Sequence, residues 1–153
     1  SAASDVYKRQ PRDSRKDIGY GIYDELDFEV ITETAGDVEA RIKVRIGEVA
    51  QSLKMVRQLI SKLRRNAETQ LAVELGELQQ EEGHFTWGIS ESARGDNLHC
   101  LLLDKEGRID RLFVRSASYP NWPALTVAVQ GDIIPDFPLI NKSFELCYAC
   151  IDR

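Results

Sequence analysis

Two cysteines near the end of this chain, Cys147 and Cys150, stand in a C-x-x-C frame within Ser-Phe-Glu-Leu-Cys-Tyr-Ala-Cys-Ile-Asp-Arg, residues 143–153. One turn of backbone brings thiolates at that spacing to the same side, where they can share a soft metal ion. The spacing alone leaves three readings open: half of a zinc site, a redox dithiol, or two ordinary buried cysteines. Two sulfurs are too few for a closed tetrahedral site, so a metal held here needs further ligands. The remaining cysteine, Cys100, lies far upstream in a stretch that reads as a strand, and is expected to be a buried strand cysteine. His99 beside it is expected to be structural.

The elements that must position this pair can be read from the pattern. Asp37, after Gly36, is a good N-cap. Ile42, Ile46, Val49, Leu53, Val56, Ile60 and Leu63 then recur at alternating steps of four and three. That is one apolar stripe on a long amphipathic helix over 37–65, expected to pack on other helices. Arg64 and Arg65 suit its C-terminal dipole, and Arg41, Arg45 and Glu48, off the stripe, are expected to be surface or inter-subunit charges. Before it, residues 11–37 are polar and broken by Gly19, Gly21 and Gly36. Leu26, Phe28 and Val30 alternate with Asp27 and Glu29, which predicts a short strand. Residues 66–84 read as a polar connection.

From Phe85 the period changes to two. Residues 86–90, 98–103 and 109–115 read as antiparallel strands, the last two joined by the hairpin residues Asp104-Lys105-Glu106-Gly107. A helix is expected over 121–131, capped by Asn121 and stopped by Gly131. Pro135 and Pro138 are expected to force an extended path toward the cysteines. The pattern is α+β: a long helix, a polar connection, a small antiparallel sheet and a short helix.

The bulk numbers bound the function. At 153 residues the chain can bury one core. Its net charge of −5 does not suggest a nucleic-acid partner. Its apolar runs fall far short of the ~18–20 residues a membrane span needs. Three cysteines make no disulfide framework and favour a reducing compartment. Residues 1–10, Ser-Ala-Ala-Ser-Asp-Val-Tyr-Lys-Arg-Gln, look like a translated sequencing adaptor and are set aside as non-native. The first residue is not Met, and residues 11–153 are expected to be the C-terminal part of a longer protein whose N-terminal half is missing.

Several motifs besides the cysteines, taken in order, carry a resemblance: Arg15-Lys16-Asp17 with Tyr20, Tyr23 and Asp27-Phe28; Ser92-Ala93-Arg94-Gly95; Asn121-Trp122-Pro123-Ala124-Leu125; and Pro135-Asp136-Phe137-Pro138-Leu139-Ile140. With the cysteine tail they resemble the C-terminal part of the large, catalytic subunit of nickel–iron hydrogenases. The branch is the membrane-associated, energy-converting, formate hydrogenlyase-like one, homologous to the 49-kDa subunit of respiratory complex I. The fold this implies is the C-terminal part of a helical-bundle large subunit with a long helix and a small sheet, its early arm lying against the metal-bearing region.

The resemblance implies a nickel–iron centre with carbon monoxide and cyanide on the iron, its other two thiolates coming from a C-x-x-C near the subunit's missing N-terminus. Cys147 would be a terminal nickel ligand and Cys150 a bridging one. Arg94 would hang its guanidinium over the open metal position, Glu145 would orient Arg94 or relay protons, and Ser118 would hydrogen-bond a cyanide. Glu145-Leu146 replaces the usual Asp-Pro, and Ala93 and Ala117 stand where Pro is common. The implied activity is reversible heterolytic cleavage of dihydrogen, with electrons passed to iron–sulfur clusters of a small partner subunit. Membrane subunits of the same complex would hold it on the cytoplasmic face. This chain alone is expected to be inactive. The alternative is a complex I-like NADH/quinone oxidoreductase subunit, coupling electron transfer to ion translocation without hydrogenase activity. Retention of Cys147 and Cys150 weighs against it, because quinone-reducing relatives lack those ligands. A structural zinc domain is a third reading. The closing Asp152-Arg153 matches the point at which hydrogenases of this branch lose a C-terminal extension; a processed subunit would end this way, and so would a gene fragment.

Overall fold

The computed structural model describes residues 12–65 and 84–150. The adaptor-like residues 1–10, the body of the polar connection (66–83) and the Asp152-Arg153 terminus lie outside the described residues. Within them the order is α1 (Ser14–Asp17), a 3-10 turn (Tyr23–Glu25), α2 (Val38–Arg65), β1 (Phe85–Ser92), β2 (Gly95–Leu103), β3 (Ile109–Arg115), a 3-10 turn (Tyr119–Asn121), α3 (Trp122–Ala128), a 3-10 turn (Ile134–Asp136) and α4 (Phe137–Phe144). Helices and a small antiparallel sheet make the expected α+β arrangement.

Helix α2 starts where the cap predicts, the Asp37 Oδ1 accepting the Ala40 N–H at 2.8 Å. Its apolar stripe does not face this chain's own core. Ile46, Val49 and Leu63 are each 60% exposed or more. The buried residues of α2 are Ala40 and Met55, and Met55 with Leu59, Tyr23, Leu26 and Phe28 forms a hydrophobic cluster.

Between Leu26 and Val30 there is no strand, a departure from the alternation. Leu26 and Phe28 are buried as the pattern requires, but the backbone finds its partners on a helix instead of a ladder. The Gln58 side-chain amide of α2 brackets Asp27, its Oε1 accepting the Asp27 N–H at 2.9 Å and its Nε2 donating to the Asp27 carbonyl at 2.7 Å. Gln51 Oε1 accepts the Glu29 N–H at 3.2 Å. Two glutamines thus satisfy backbone groups that would otherwise need a neighbouring strand.

The three strands pair in sequence order, all antiparallel. Ala93 and Arg94 make the tight β1–β2 turn, closed by Gly95 at φ +116°, a value open only to glycine. Cys100 sits opposite Trp87 and Phe113 and is half-buried where full burial was expected; among the described residues little covers that face, and Trp87 and Phe113 are themselves more than half exposed. His99 on the opposite face is exposed.

The prolines do not produce an extended path. Pro135 lies in the 3-10 turn and Pro138 in the first turn of α4, where a missing N–H costs nothing. Helix α3 is also shorter than expected, ending at Ala128, with Gly131 beyond it at φ +89°.

Candidate metal site and its flanking cleft

Helix α4 delivers the cysteines. It ends at Phe144 with Glu145 in the left-handed region at φ 51°, ψ 33°, and this reversal turns the chain through Leu146 into Cys147. Two arginines of α2 hold the turn. Arg45 donates to the carbonyls of Ser143 and Phe144 at 3.2 and 2.9 Å and to the Glu145 Oε2 at 3.0 Å. Arg41 donates to the Ser143 Oγ at 2.8 Å and to the Gly36 carbonyl at 3.0 Å, and stacks over the Phe144 ring. The free carbonyls of this helix end are therefore met by the Arg45 guanidinium from a distant element. Arg41, Arg45 and Glu48, expected to be surface or inter-subunit charges, are half-buried here and line a cleft within this chain. Their spacing, 41-45-48, is itself a helical stripe. That signal was present in the sequence, and it ran parallel to the apolar one.

Ser118 is 1% exposed, and its Oγ accepts the Cys147 N–H at 3.1 Å. With its acceptor lone pair so used, its hydroxyl proton remains available to donate. Its own loop is fixed from β2, where the Asn97 Oδ1 accepts the Ala117 N–H at 2.9 Å. Asn121 ties this loop to the hairpin, its Nδ2 donating to the carbonyls of Arg94 (2.7 Å) and Ala117 (2.8 Å). It makes no side-chain cap for α3, contrary to expectation; its amide is oriented by the bonds its Nδ2 donates to those two carbonyls.

The cysteine pair is drawn together. A hydrogen bond from the Cys150 side chain, then the backbone N–H groups of Cys150 and Ala149 and the positive charge of Arg94, hold the Cys147 thiol below its ordinary value against the effect of burial. A thiol held this way beside a guanidinium, as Cys147 is, is a readily deprotonated ligand. The residues present fit two thiolate ligands of a soft metal. Among the described residues no group of three or more His, Cys, Asp and Glu converges to complete such a site. The structure thus brings Arg94, Ser118, Cys147 and Cys150 to one end of the molecule, with Glu145 two residues ahead of the pair and turned to Arg45.

A cleft runs from this end between α2, the arm before it, the β1–β2 turn and Leu146. Asp13, 5% exposed, is paired with Arg15 at 2.5 Å. Burial alone would raise the Asp13 carboxyl, but its bonds to Arg15 outweigh that and lower it. Glu91 Oε2 accepts the Ser14 N–H at 2.9 Å, and its backbone N–H donates to the Tyr20 hydroxyl at 2.7 Å. The arm therefore packs on the strand leading to Arg94. Neither carboxylate was singled out from sequence: Asp13 pairs locally with Arg15, and nothing local marks Glu91, whose partners lie more than seventy residues away.

Residues 10–85 and 74–153 match the family described as "Respiratory-chain NADH dehydrogenase, 49 Kd subunit". "Formate hydrogenlyase subunit 5" of Escherichia coli is 36% identical over 93% of this chain and 24% of its own length. An NADH-quinone oxidoreductase subunit of Salinispora tropica is 34% identical over 92% of this chain and 36% of its own length. The chain therefore spans about a quarter to a little over a third of these relatives. A solved structure, "Structure of the membrane-bound sulfane sulfur reductase (MBS), an archaeal respiratory membrane complex", superposes with a TM-score of 0.83 at 26% identity, covering 99% of this chain and 42% of that one.

Proposed function

We propose, from the premise that the chain belongs to the respiratory-chain NADH dehydrogenase 49 Kd subunit family, that it is the C-terminal part of a nickel–iron hydrogenase large subunit. The family consists of oxidoreductase subunits. Related proteins belong to membrane-bound respiratory or energy-converting complexes, and among the described residues no helix is long and apolar enough to cross a membrane. The reading is therefore of a peripheral subunit that meets the membrane through partners and works on the cytoplasmic side. The observation that carries the hydrogenase reading is the Cys147–Cys150 pair, with its lowered thiol beside Arg94.

In this reading Cys147 and Cys150 supply two of the thiolates of a nickel–iron centre bearing carbon monoxide and cyanide. The other two come from a C-x-x-C in the part of the subunit that precedes this chain. Such a centre, once bound, would supply heterolytic dihydrogen chemistry and would pass electrons to iron–sulfur clusters of a small partner subunit. Arg94 presents a fixed positive charge to the open side of that place. Ser118 positions Cys147 through its backbone and offers its hydroxyl proton to a cyanide. Glu145, held by Arg45, is a proton relay. The isolated chain, with half the ligands, is inactive.

A second reading, a quinone-linked subunit without hydrogenase activity, is favoured by the similarity to NADH-quinone oxidoreductase subunits. Metal analysis and assay of the intact purified complex separate the two. The hydrogenase reading expects nickel in stoichiometric amount and hydrogen-dependent dye reduction, both abolished by Cys147→Ser and by Cys150→Ser. A nickel-free complex that reduces quinone, and still does so with either serine variant, overturns it.

A further inference from the structure

The cleft beside the thiol pair is lined by carboxyls that none of the roles above employs, among them Glu48 on α2 and Glu91 on β1. Both are half-buried. Glu91 is tethered, bonded through its carboxylate to Ser14 and through its backbone to Tyr20. Glu48 is not: among the described residues no hydrogen bond or close ion pair engages its carboxyl. It is faced by Arg45 from its own helix, by Asp13 and Arg15 from the arm and by Glu91 from the strand. Arg12, Glu33, Arg41 and Arg94 complete the charged lining of the cleft.

A carboxyl in such a place has an unusual combination of properties. Its neighbours bear both signs, so neither protonation state is locked by a single partner. Its position on a rigid helix fixes it in the cleft that Arg94 shares, and Arg94 in turn acts on Cys147. Burial, together with the charges of Asp13 and Glu91, raises the Glu48 carboxyl above its ordinary value against the pull of Arg15 and Arg45, bringing it closer to working pH.

We propose that Glu48 is the proton-holding group of this cleft, taking onto its carboxylate a proton released at the Cys147–Cys150 end beyond Arg94 and returning it to water. Glu91 and Asp13 set its environment and remain in place. The proposal rests on the hydrogenase reading for the source of the proton, and the two can fail separately.

The test uses the intact complex carrying Glu48→Gln and Glu48→Asp. Infrared difference spectra across pH should show the carbonyl band of a protonated carboxylic acid that titrates above the ordinary glutamate range and is missing in Glu48→Gln. Hydrogen-dependent dye reduction should fall about 100-fold or more in Glu48→Gln, the order expected for losing one positioned proton carrier, and recover in part in Glu48→Asp, with nickel content unchanged in both. A band that persists in Glu48→Gln, or full activity with an unaltered pH profile in that variant, overturns the proposal. Nickel lost from both variants also overturns it, because Glu48 then serves assembly. A wild-type complex without hydrogen activity but with the Glu48 band present refutes the hydrogenase reading alone.

Discussion

Arg45 of α2 and Glu145, one hundred residues apart, meet at 3.0 Å. The same guanidinium takes the last carbonyls of α4, so one side chain ends a helix, holds a left-handed residue and aims the segment carrying Cys147. Arg45 is 27% exposed and Glu145 44%. Solvent therefore weakens the ion pair itself, and the helix-end bonds dominate.

Arg45→Ala should consequently cost the full-length subunit about 1.5–3 kcal/mol, the range for hydrogen bonds to a charged group. Glu145→Gln leaves the carbonyl bonds intact and should cost less than about 1 kcal/mol. Denaturant midpoints at constant m-value measure both. Equal losses in the two variants would show that the ion pair, and not the cap, holds the turn.

The backbone at Glu145 gives a second prediction. A non-glycine residue in the left-handed region costs roughly 1–2 kcal/mol. Glu145→Gly and Glu145→Ala both lose the contact with Arg45, so their difference isolates the backbone. The glycine variant should be more stable than the alanine variant by about 1 kcal/mol in thermal or denaturant unfolding. No difference would mean that the turn relaxes out of this conformation once the side chain is removed.

Periodicity found α2 to within a residue and all three strands, because those elements repeat a single rule over many positions. It did not say which face of α2 packs within this chain. Ile42 to Leu63 look like a core stripe, yet α2 packs through Met55 and Leu59 and is tied to the rest of the chain by Arg41, Arg45, Gln51 and Gln58, polar side chains that each bond a backbone group. A hydrophobicity count cannot rank such residues. Pro135 and Pro138 were misread for a related reason: proline breaks a helix from within but suits its first turn, and only the position of the helix start decides between them. At the site, the C-x-x-C frame and the Arg94 turn were legible as local motifs. The links made by Asn121, Asn97 and Ser118 join separate loops, and local patterns do not register them.

Asn121 tests whether those links matter. Its amide donates to the carbonyls of Arg94 and Ala117, on either side of the site. Asn121→Ala should cost about 1–3 kcal/mol, mainly by leaving the part-buried Ala117 carbonyl without its donor, since water can replace the bond to the exposed Arg94 carbonyl. Asn121→Asp should cost more, since a carboxylate can only accept and would face two carbonyl oxygens. Hydrogen exchange at the Cys147 amide, bonded to Ser118 in the neighbouring loop, should accelerate in both variants. Exchange that stays at the wild-type rate would show that the Ser118 loop is held without Asn121.

Glu48 makes a pH-dependent prediction whose sign is opposite to that of an ordinary salt-bridged carboxylate. Burial raises its folded-state value above the unfolded 4.5, so the folded protein binds a proton more readily than the unfolded chain. Its contribution is then favourable at low pH and is lost as pH rises from 4.5 through the raised folded value. Above that window the ionised carboxylate sits in a half-buried cleft at a cost to stability. Glu48→Gln, neutral throughout, should therefore stabilise the full-length subunit at neutral pH, and the advantage should shrink as pH falls to 4.5 and below. Asp13 behaves in the opposite sense, its value lowered by Arg15, and it loses its contribution only as pH falls below the unfolded 3.8. Unfolding midpoints of wild type and Glu48→Gln at neutral and acid pH decide the matter. A gain that is the same at both pH values would mean that packing, and not ionisation, separates the two proteins, and Glu48 would have no raised value to place at the service of the cleft.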